Sequence, residues 1–191
     1  MNLKFRVALA GALALITTAC GTDDEIGLKP LVCPAVGVLS DAASLRVFGD
    51  GAGRADADTA YDLEFMRVNL LECALEKEEM TATIRYEARA KTGPAATQDA
   101  YEYQYFVVLM APDGNILSKT VQRSTAKFKS DRAEIFFAEE YDDIEFKVPE
   151  GADGLGYEIL IGFQLTREQM EYHRAKRASP AVGSFPDIVT Q

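Results

Sequence analysis

The sequence predicts a mainly β domain: an antiparallel β-sandwich of the immunoglobulin-like or fibronectin-like kind with one short C-terminal helix. Three observations predict it. Residues 80–91 alternate apolar and polar side chains, the period of a strand with one solvated face. About seven such short segments are separated by turn signals, as in sandwiches. Thr166 and Gln169 have the spacing of a helix-capping box, which places a short helix after the last strand and ends it near Arg174.

The strands follow from apolar patterning and the turns from Gly, Pro and acidic clusters. A first strand at 30–39 is confined to an edge or a bulge by Pro34, and 44–48 is a short apolar segment. The apolar phase shifts between Phe65 and Met66, which predicts a bulged strand at 62–72, although Leu63 and Leu70 also fit a helical spacing. Further strands are predicted at 80–91, 101–110, 116–123, 133–137, 144–148 and 157–165.

Two of the predicted strands are central and three connections are distinctive. Residues 106–110 and 159–163 are apolar on both faces, as expected for strands inside a sheet. Residues 112–115 (Pro-Asp-Gly-Asn) predict a tight turn, and residues 139–143 predict an acidic corner between two strands. The connection before Tyr157 resembles the tyrosine corner of immunoglobulin-like domains, which makes Tyr157 a structural residue.

The first residues have the layout of a secretory signal. Lys4 and Arg6 precede an apolar run at 7–16, too short to span a bilayer stably, and small residues follow. The end of this segment, Ala19-Cys20, resembles the lipobox of bacterial lipoproteins, which implies lipidation of Cys20. An ordinary cleaved signal is the alternative. The predicted organisation is a signal peptide at 1–19, a tether at 20–29, the β-sandwich domain at 30–174 and a flexible tail at 175–191.

The charge and the cysteine content are consistent with an exported, lipid-anchored chain. The net charge is -10, and loss of the two signal-peptide cations makes the mature chain more acidic, which argues against nucleic-acid binding and leaves acyl chains as the membrane contact. With Cys20 lipidated, Cys33 and Cys73 remain and are predicted to pair in an oxidising compartment. Two buried thiols in neighbouring strands are the alternative. A redox role is disfavoured because the sequence has no Cys-x-x-Cys motif.

Several short motifs are spread along the predicted domain. They are Cys33-Pro34, Gly53-Arg54, Cys73, residues 92–96, residues 105–108, and residues 162–166 with Gln169 and Tyr172. Together they resemble a group of envelope lipoproteins of Gram-negative bacteria. The resemblance spans about Cys33 to Arg174. It implies location and fold and no particular chemistry. By resemblance to lipoprotein sorting, Gly21 after the lipidated cysteine favours the outer membrane, with the domain facing the periplasm.

No catalytic constellation emerges from the sequence. The single histidine, His173, follows Tyr172 on a short helix beside Arg174, and no nucleophile elbow, P-loop or dinucleotide motif occurs. Asp50, Asp56 and Asp58 in a Gly-rich loop do not match an EF-hand, and a solvated loop is the favoured interpretation. The acidic group is Glu139, Glu140, Asp142 and Asp143, interpreted as a solvated corner with a cation site as the alternative.

A tyrosine stripe is the remaining candidate. Tyr101, Tyr103 and Tyr105 share one face of a strand and either pack in the core or form a carbohydrate or peptide platform. We therefore predict a non-enzymatic lipoprotein without a cofactor, anchored by acyl chains on Cys20, whose domain contacts an envelope protein partner. A ligand-binding module for carbohydrate, lipid or a divalent cation is the alternative function.

Overall fold

The computed structural model describes residues 30–51, 53–129 and 133–178. They form a β-sandwich of two four-stranded sheets with one α-helix, which confirms the predicted mainly β fold with its short C-terminal helix. The strands are β1 Ala35–Val38, β2 Ser44–Phe48, β3 Thr59–Glu76, β4 Glu79–Thr92, β5 Ala100–Met110, β6 Ile116–Lys127, β7 Glu134–Lys147 and β8 Glu158–Phe163, and helix α1 spans Arg167–Ala178. The predicted signal peptide and the tether with Cys20 and Gly21 lie outside the described residues.

Each sheet has two central and two edge strands. The first sheet has the order β1-β8-β5-β6 and the second has the order β2-β3-β4-β7. The pairings are antiparallel except for β1 with β8, which is parallel. Strands β5 and β8, which the sequence predicts to be apolar on both faces, are both central in the first sheet. A central strand is flanked by strands on both sides, and their side chains help to shield its own from solvent. A run of apolar residues is therefore stable in such a strand.

The core lies between the two sheets. Strand β4 alternates as predicted: Met80, Ile84 and Tyr86 are buried, whereas Thr81 and Arg85 point to solvent. Aromatic rings join the sheets at the centre, where the ring of Phe65 on β3 stacks on that of Phe163 on β8 at 4.2 Å between centroids. Burial of such large apolar side chains, each worth about 1.5–3 kcal/mol, supplies the main stabilisation of the sandwich.

Two phase shifts in the sequence are bulges in the structure. The register of β3 against β4 shifts between Phe65 and Arg67, where the sequence predicts a bulge, and the helical alternative for this segment is wrong. The second shift lies in β7, where the prediction from sequence is wrong. The acidic residues at 139–143 do not form a corner between two strands, because β7 runs through them as one strand. Its register against β4 shifts around Asp142 and Asp143, so Tyr141 and Ile144 both face inward.

The turn after β5 follows its predicted chemistry. Gly114 has φ of +83°, a conformation that favours glycine. The Asp113 carboxylate accepts hydrogen bonds from the backbone N–H of Asn115 at 3.0 Å and from its side-chain amide at 2.7 Å. These bonds stabilise the charged carboxylate and hold the pKa of Asp113 below its usual value. The turn therefore fixes the hairpin register of β5 and β6.

Cys33 and Cys73 lie at disulfide distance. Their Cα atoms are 6.1 Å apart, inside the range that a disulfide spans. Cys33 lies just before β1 of the first sheet and Cys73 lies on β3 of the second sheet. The bridge therefore links the two sheets on the side where β1, a strand of only four residues, forms the edge.

Helix α1 begins at the predicted capping box and ends later than predicted. The backbone N–H of Thr166 donates to Gln169 Oε1 at 2.9 Å, and the N–H of Gln169 donates to Thr166 Oγ1 at 3.2 Å. The helix continues past Arg174 to Ala178. Tyr157 is buried beside the first residue of β8, 5.0 Å from the ring of Phe146 between centroids. Its role as a tyrosine corner stays a prediction.

Candidate functional site

A charged pocket lies where α1 meets the outer surface of the second sheet. Its cavity of about 340 Å³ is lined by residues of β2, β3, β4 and α1 and of the short turn before β2. The lining residues are Ser40, Asp41, Ser44, Arg46, Asp62, Glu64, Arg89, Tyr172, His173 and Lys176. Three cations and three carboxylates are thus held around one small volume. We refer to it as the α1 pocket.

Arg46 is the best-buried charge in the α1 pocket. Its side chain is only 15% exposed, and its two terminal nitrogens donate to Asp56 at 2.7 Å and to Asp62 at 2.5 Å. Burial disfavours the charged guanidinium, but the hydrogen bond and the charge of Asp62 outweigh it and raise the pKa of Arg46. Arg46 therefore remains a permanent cation whose donors are largely committed to carboxylates of its own chain.

The neighbouring arginines are also committed. Arg89 donates to Glu64 at 2.7 Å and lies 3.5 Å from Glu134 on the other side. Arg54, in the loop after β2, pairs with Glu168 of α1 and lies 5.1 Å from the centroid of the Phe48 ring. The contacts of Arg54 attach α1 to β2, an edge strand of the second sheet. Mutually satisfied charges of this kind position elements and leave few groups open to a ligand.

His173 is half-buried in the α1 pocket, whereas the next residue, Arg174, is exposed. Its Nδ1 lies 3.4 Å from Ser44 Oγ, a contact between residues 129 positions apart. A nucleophile and its general base are usually 2.6–3.2 Å apart, so this distance does not by itself define a catalytic pair. Such a long-range contact leaves no signal in the sequence.

A second polar group lies inside the sandwich. It consists of Tyr86, Tyr103, Tyr105, Ser124 and Glu139, which we call the tyrosine–glutamate cluster. The hydroxyl of Tyr86 donates to Glu139 Oε2, and Ser124 Oγ donates to Oε1 of the same carboxylate at 2.5 Å. The hydroxyls of Tyr86 and Tyr103 are 3.1 Å apart. The cluster joins β4, β5, β6 and β7, so it connects both sheets.

The tyrosines of this cluster are held in their neutral form. Burial, followed by the charge of Glu139, raises the pKa of Tyr105 to about 12. Burial and then the hydrogen bond to Glu139 raise the pKa of Tyr86, and burial raises that of Tyr103. A protonated hydroxyl is needed to donate to the carboxylate, so the hydrogen bond to Glu139 adds to burial in raising the pKa of Tyr86.

The predicted tyrosine stripe packs in the core. Tyr103 and Tyr105 are only 2% and 4% exposed, and Tyr101 is half-buried with its ring stacked 4.7 Å from that of Tyr61. Of the two alternatives for the stripe, packing in the core is therefore the one that these tyrosines follow. A surface platform would require rings that solvent can reach, and Tyr103 and Tyr105 do not meet that requirement.

The acidic candidates are not gathered around a common point. Asp56 pairs with Arg46, and Asp58 Oδ2 accepts the backbone N–H of Ala55 at 2.9 Å. On β7, Glu139 points inward, whereas Glu140 points outward to Arg85 at 3.2 Å. Among the residues that the structure describes, no three His, Cys, Asp or Glu side chains are arranged to hold a metal ion.

Sequence reasoning missed the inward position of Glu139. The register of β7 against β4 pairs Glu139 with Tyr86, and Tyr86 faces inward because it belongs to the buried set of β4. The alternation of Phe137, Glu139 and Tyr141 was the available signal. This alternation is easily overlooked, because a carboxylate at its centre is more typical of a solvated turn than of an inward position.

Comparison with known proteins gives no match: no family model, no curated protein and no solved structure is similar to this chain at a significant level. In the described part of the chain, no helix has both the length and the apolar character that crossing a membrane requires.

Proposed function

We propose that the chain is a cell-envelope lipoprotein whose β-sandwich is a non-enzymatic interaction domain. The observation that carries the proposal is the N-terminal sequence, in which two cations, an apolar run and Ala19-Cys20 occur in the order of a lipoprotein signal. Acyl chains on Cys20 hold the domain at the membrane, and Gly21 favours the outer membrane. The domain faces the periplasm and contacts an envelope protein.

The folded domain supports this proposal in two ways. Cys33 and Cys73 lie at disulfide distance, and disulfides persist in oxidising compartments outside the cytosol. The charged groups of the α1 pocket are largely paired with one another, and the three tyrosines of the cluster inside the sandwich are buried. Surface contact is therefore a better-supported role for this domain than chemistry at a cleft.

Membrane fractionation tests the anchor. Wild-type chain is expected to remain with the membranes after a high-salt wash, because salt screens charge contacts but does not extract acyl chains. The Cys20→Ser chain is expected in the soluble fraction. Equal distribution of the two chains between the fractions would contradict the proposal.

A further inference from the structure

Strands β6 and β7 are both sheet edges, and they lie on the same side of the sandwich. Within the described residues, β6 pairs only with β5 and β7 pairs only with β4. The hydrogen bond from Ser124 on β6 to Glu139 on β7 places the two edges opposite each other across the sandwich. They have 12 and 14 residues, and an edge of that length is a template for pairing with another chain.

The two edges have opposite charge. Strand β6 has Lys119, Arg123 and Lys127 and no acidic residue. Strand β7 has Lys147 as its one basic residue and six acidic residues, which are Glu134, Glu139, Glu140, Asp142, Asp143 and Glu145. Two β6 edges repel each other, as do two β7 edges, whereas β6 and β7 of different copies attract.

The outward faces of these strands carry the groups that such a contact would use. On β6, Val121 lies opposite Phe106 in register, and the ammonium of Lys119 is 4.5 Å from the centroid of the Phe106 ring. On β7, Phe136 lies opposite Arg89 and is 69% exposed. Edge-to-edge pairing continues one outward face into the other, so it would bring exposed apolar groups together beside charges of opposite sign.

The acidic groups on β7 keep most of their capacity for a new partner. Glu134 lies 3.5 Å from Arg89 and Glu140 lies 3.2 Å from Arg85, and all four side chains are more than 40% exposed. Exposed pairs of this kind contribute at most about 1 kcal/mol each. A cation arriving from the open side of the strand can therefore join them without breaking a strong contact.

We propose that this chain pairs with a second copy of itself, the β6 edge of each copy joining the β7 edge of the other. The inference rests on the proposed function as an interaction domain and names its partner. A twofold axis parallel to the strands exchanges the two sheets, so a single dimer satisfies both edges of both copies and closes. Backbone hydrogen bonds supply the contact, and the opposite charges select this pairing over its like-charged alternatives.

Two charge-reversal variants test the pairing. In Lys119→Glu/Arg123→Glu the β6 edge keeps one cation and gains two carboxylates, so both edges are acidic. In Glu134→Lys/Glu140→Lys/Glu145→Lys the β7 edge has three carboxylates and four cations, so both edges are basic. All chains also carry Cys20→Ser, which removes the acylation site. By analytical ultracentrifugation the parent chain is expected to dimerise, less tightly as salt increases. Each variant alone is expected to have a dissociation constant more than about tenfold higher. An equimolar mixture of the two is expected to dimerise again, because each acidic edge then meets a basic one.

A matched control reverses two exposed cations of α1 that lie outside the α1 pocket, Arg167→Glu/Arg174→Glu, and should dimerise like the parent chain. Circular dichroism and thermal unfolding of each variant verify that it is folded. A parent chain that stays monomeric at every concentration shows that the edge charges only prevent association, and it overturns the proposal. Failure of the mixture to associate also overturns it. Neither result bears on the anchor, because fractionation tests that separately.

Discussion

Glu139 connects the two sheets of the sandwich through its hydrogen bonds. Its carboxylate lies between the sheets and accepts hydrogen bonds from Tyr86 and from Ser124. The carboxylate is half-buried, so it has little water to replace these donors if they are lost, and the two hydroxyls and the carboxylate form one unit. The unit links β4, β6 and β7 and fixes their side-chain register.

Stability is expected to fall at alkaline pH because of the tyrosines around Glu139. The pKa of Tyr105 is raised from 10.0 to about 12 in the folded chain. Between these values the unfolded chain has lost the proton and the folded chain keeps it, so the free energy of unfolding decreases as pH rises. Each such tyrosine lowers it by up to about 1.4 kcal/mol per pH unit. Urea unfolding between about pH 10 and about pH 12 measures the slope.

Tyr105→Phe is the matched control for this pH dependence. It keeps the ring in the core and removes the proton, so the slope should become shallower. A free energy of unfolding that is constant over this pH range in the wild-type chain would contradict the assignment.

At the scale of the element, the segment before β1 depends on its link to β3. Strand β1 has four residues and one strand neighbour, so it has few hydrogen bonds of its own. The bridge between Cys33 and Cys73 closes a loop of 40 residues. In the chain-entropy model such a loop contributes about 4 kcal/mol. We expect Cys33→Ser/Cys73→Ser to lower the free energy of unfolding by about that amount, measured by urea unfolding without reductant.

The wild-type chain in reductant is the control for the double variant, and it should unfold at the same urea concentration. Equal stability of the oxidised wild type and the double variant would show that the two thiols contribute no cross-link.

The elements that local pattern alone determines were predictable, and those that depend on register were not. The alternation from Met80 onward predicts β4 because the side chains of that strand point alternately to the core and to solvent. Strand β7 was divided wrongly at its acidic residues, because a bulge and an inward Glu139 both break the pattern of a half-buried strand. The contact of Ser44 with His173 spans 129 positions and depends on where α1 packs.

At the scale of the whole molecule, charge and anchoring are connected. The net charge of -10 repels anionic lipid, so the domain does not adsorb to a membrane by its own surface. In the proposed function, acyl chains on Cys20 supply the attachment instead. A dimer joined at the β6 and β7 edges would carry two sets of acyl chains, and added chains strengthen membrane attachment steeply.

Metabolic labelling with palmitate tests the central claim most directly. The wild-type chain and the Cys20→Ser chain are expressed under the same conditions, purified in detergent and compared for incorporated label. The account predicts label on the wild-type chain and none on Cys20→Ser, at equal amounts of protein. Absence of label from both chains, or equal label on both, would contradict lipidation at Cys20.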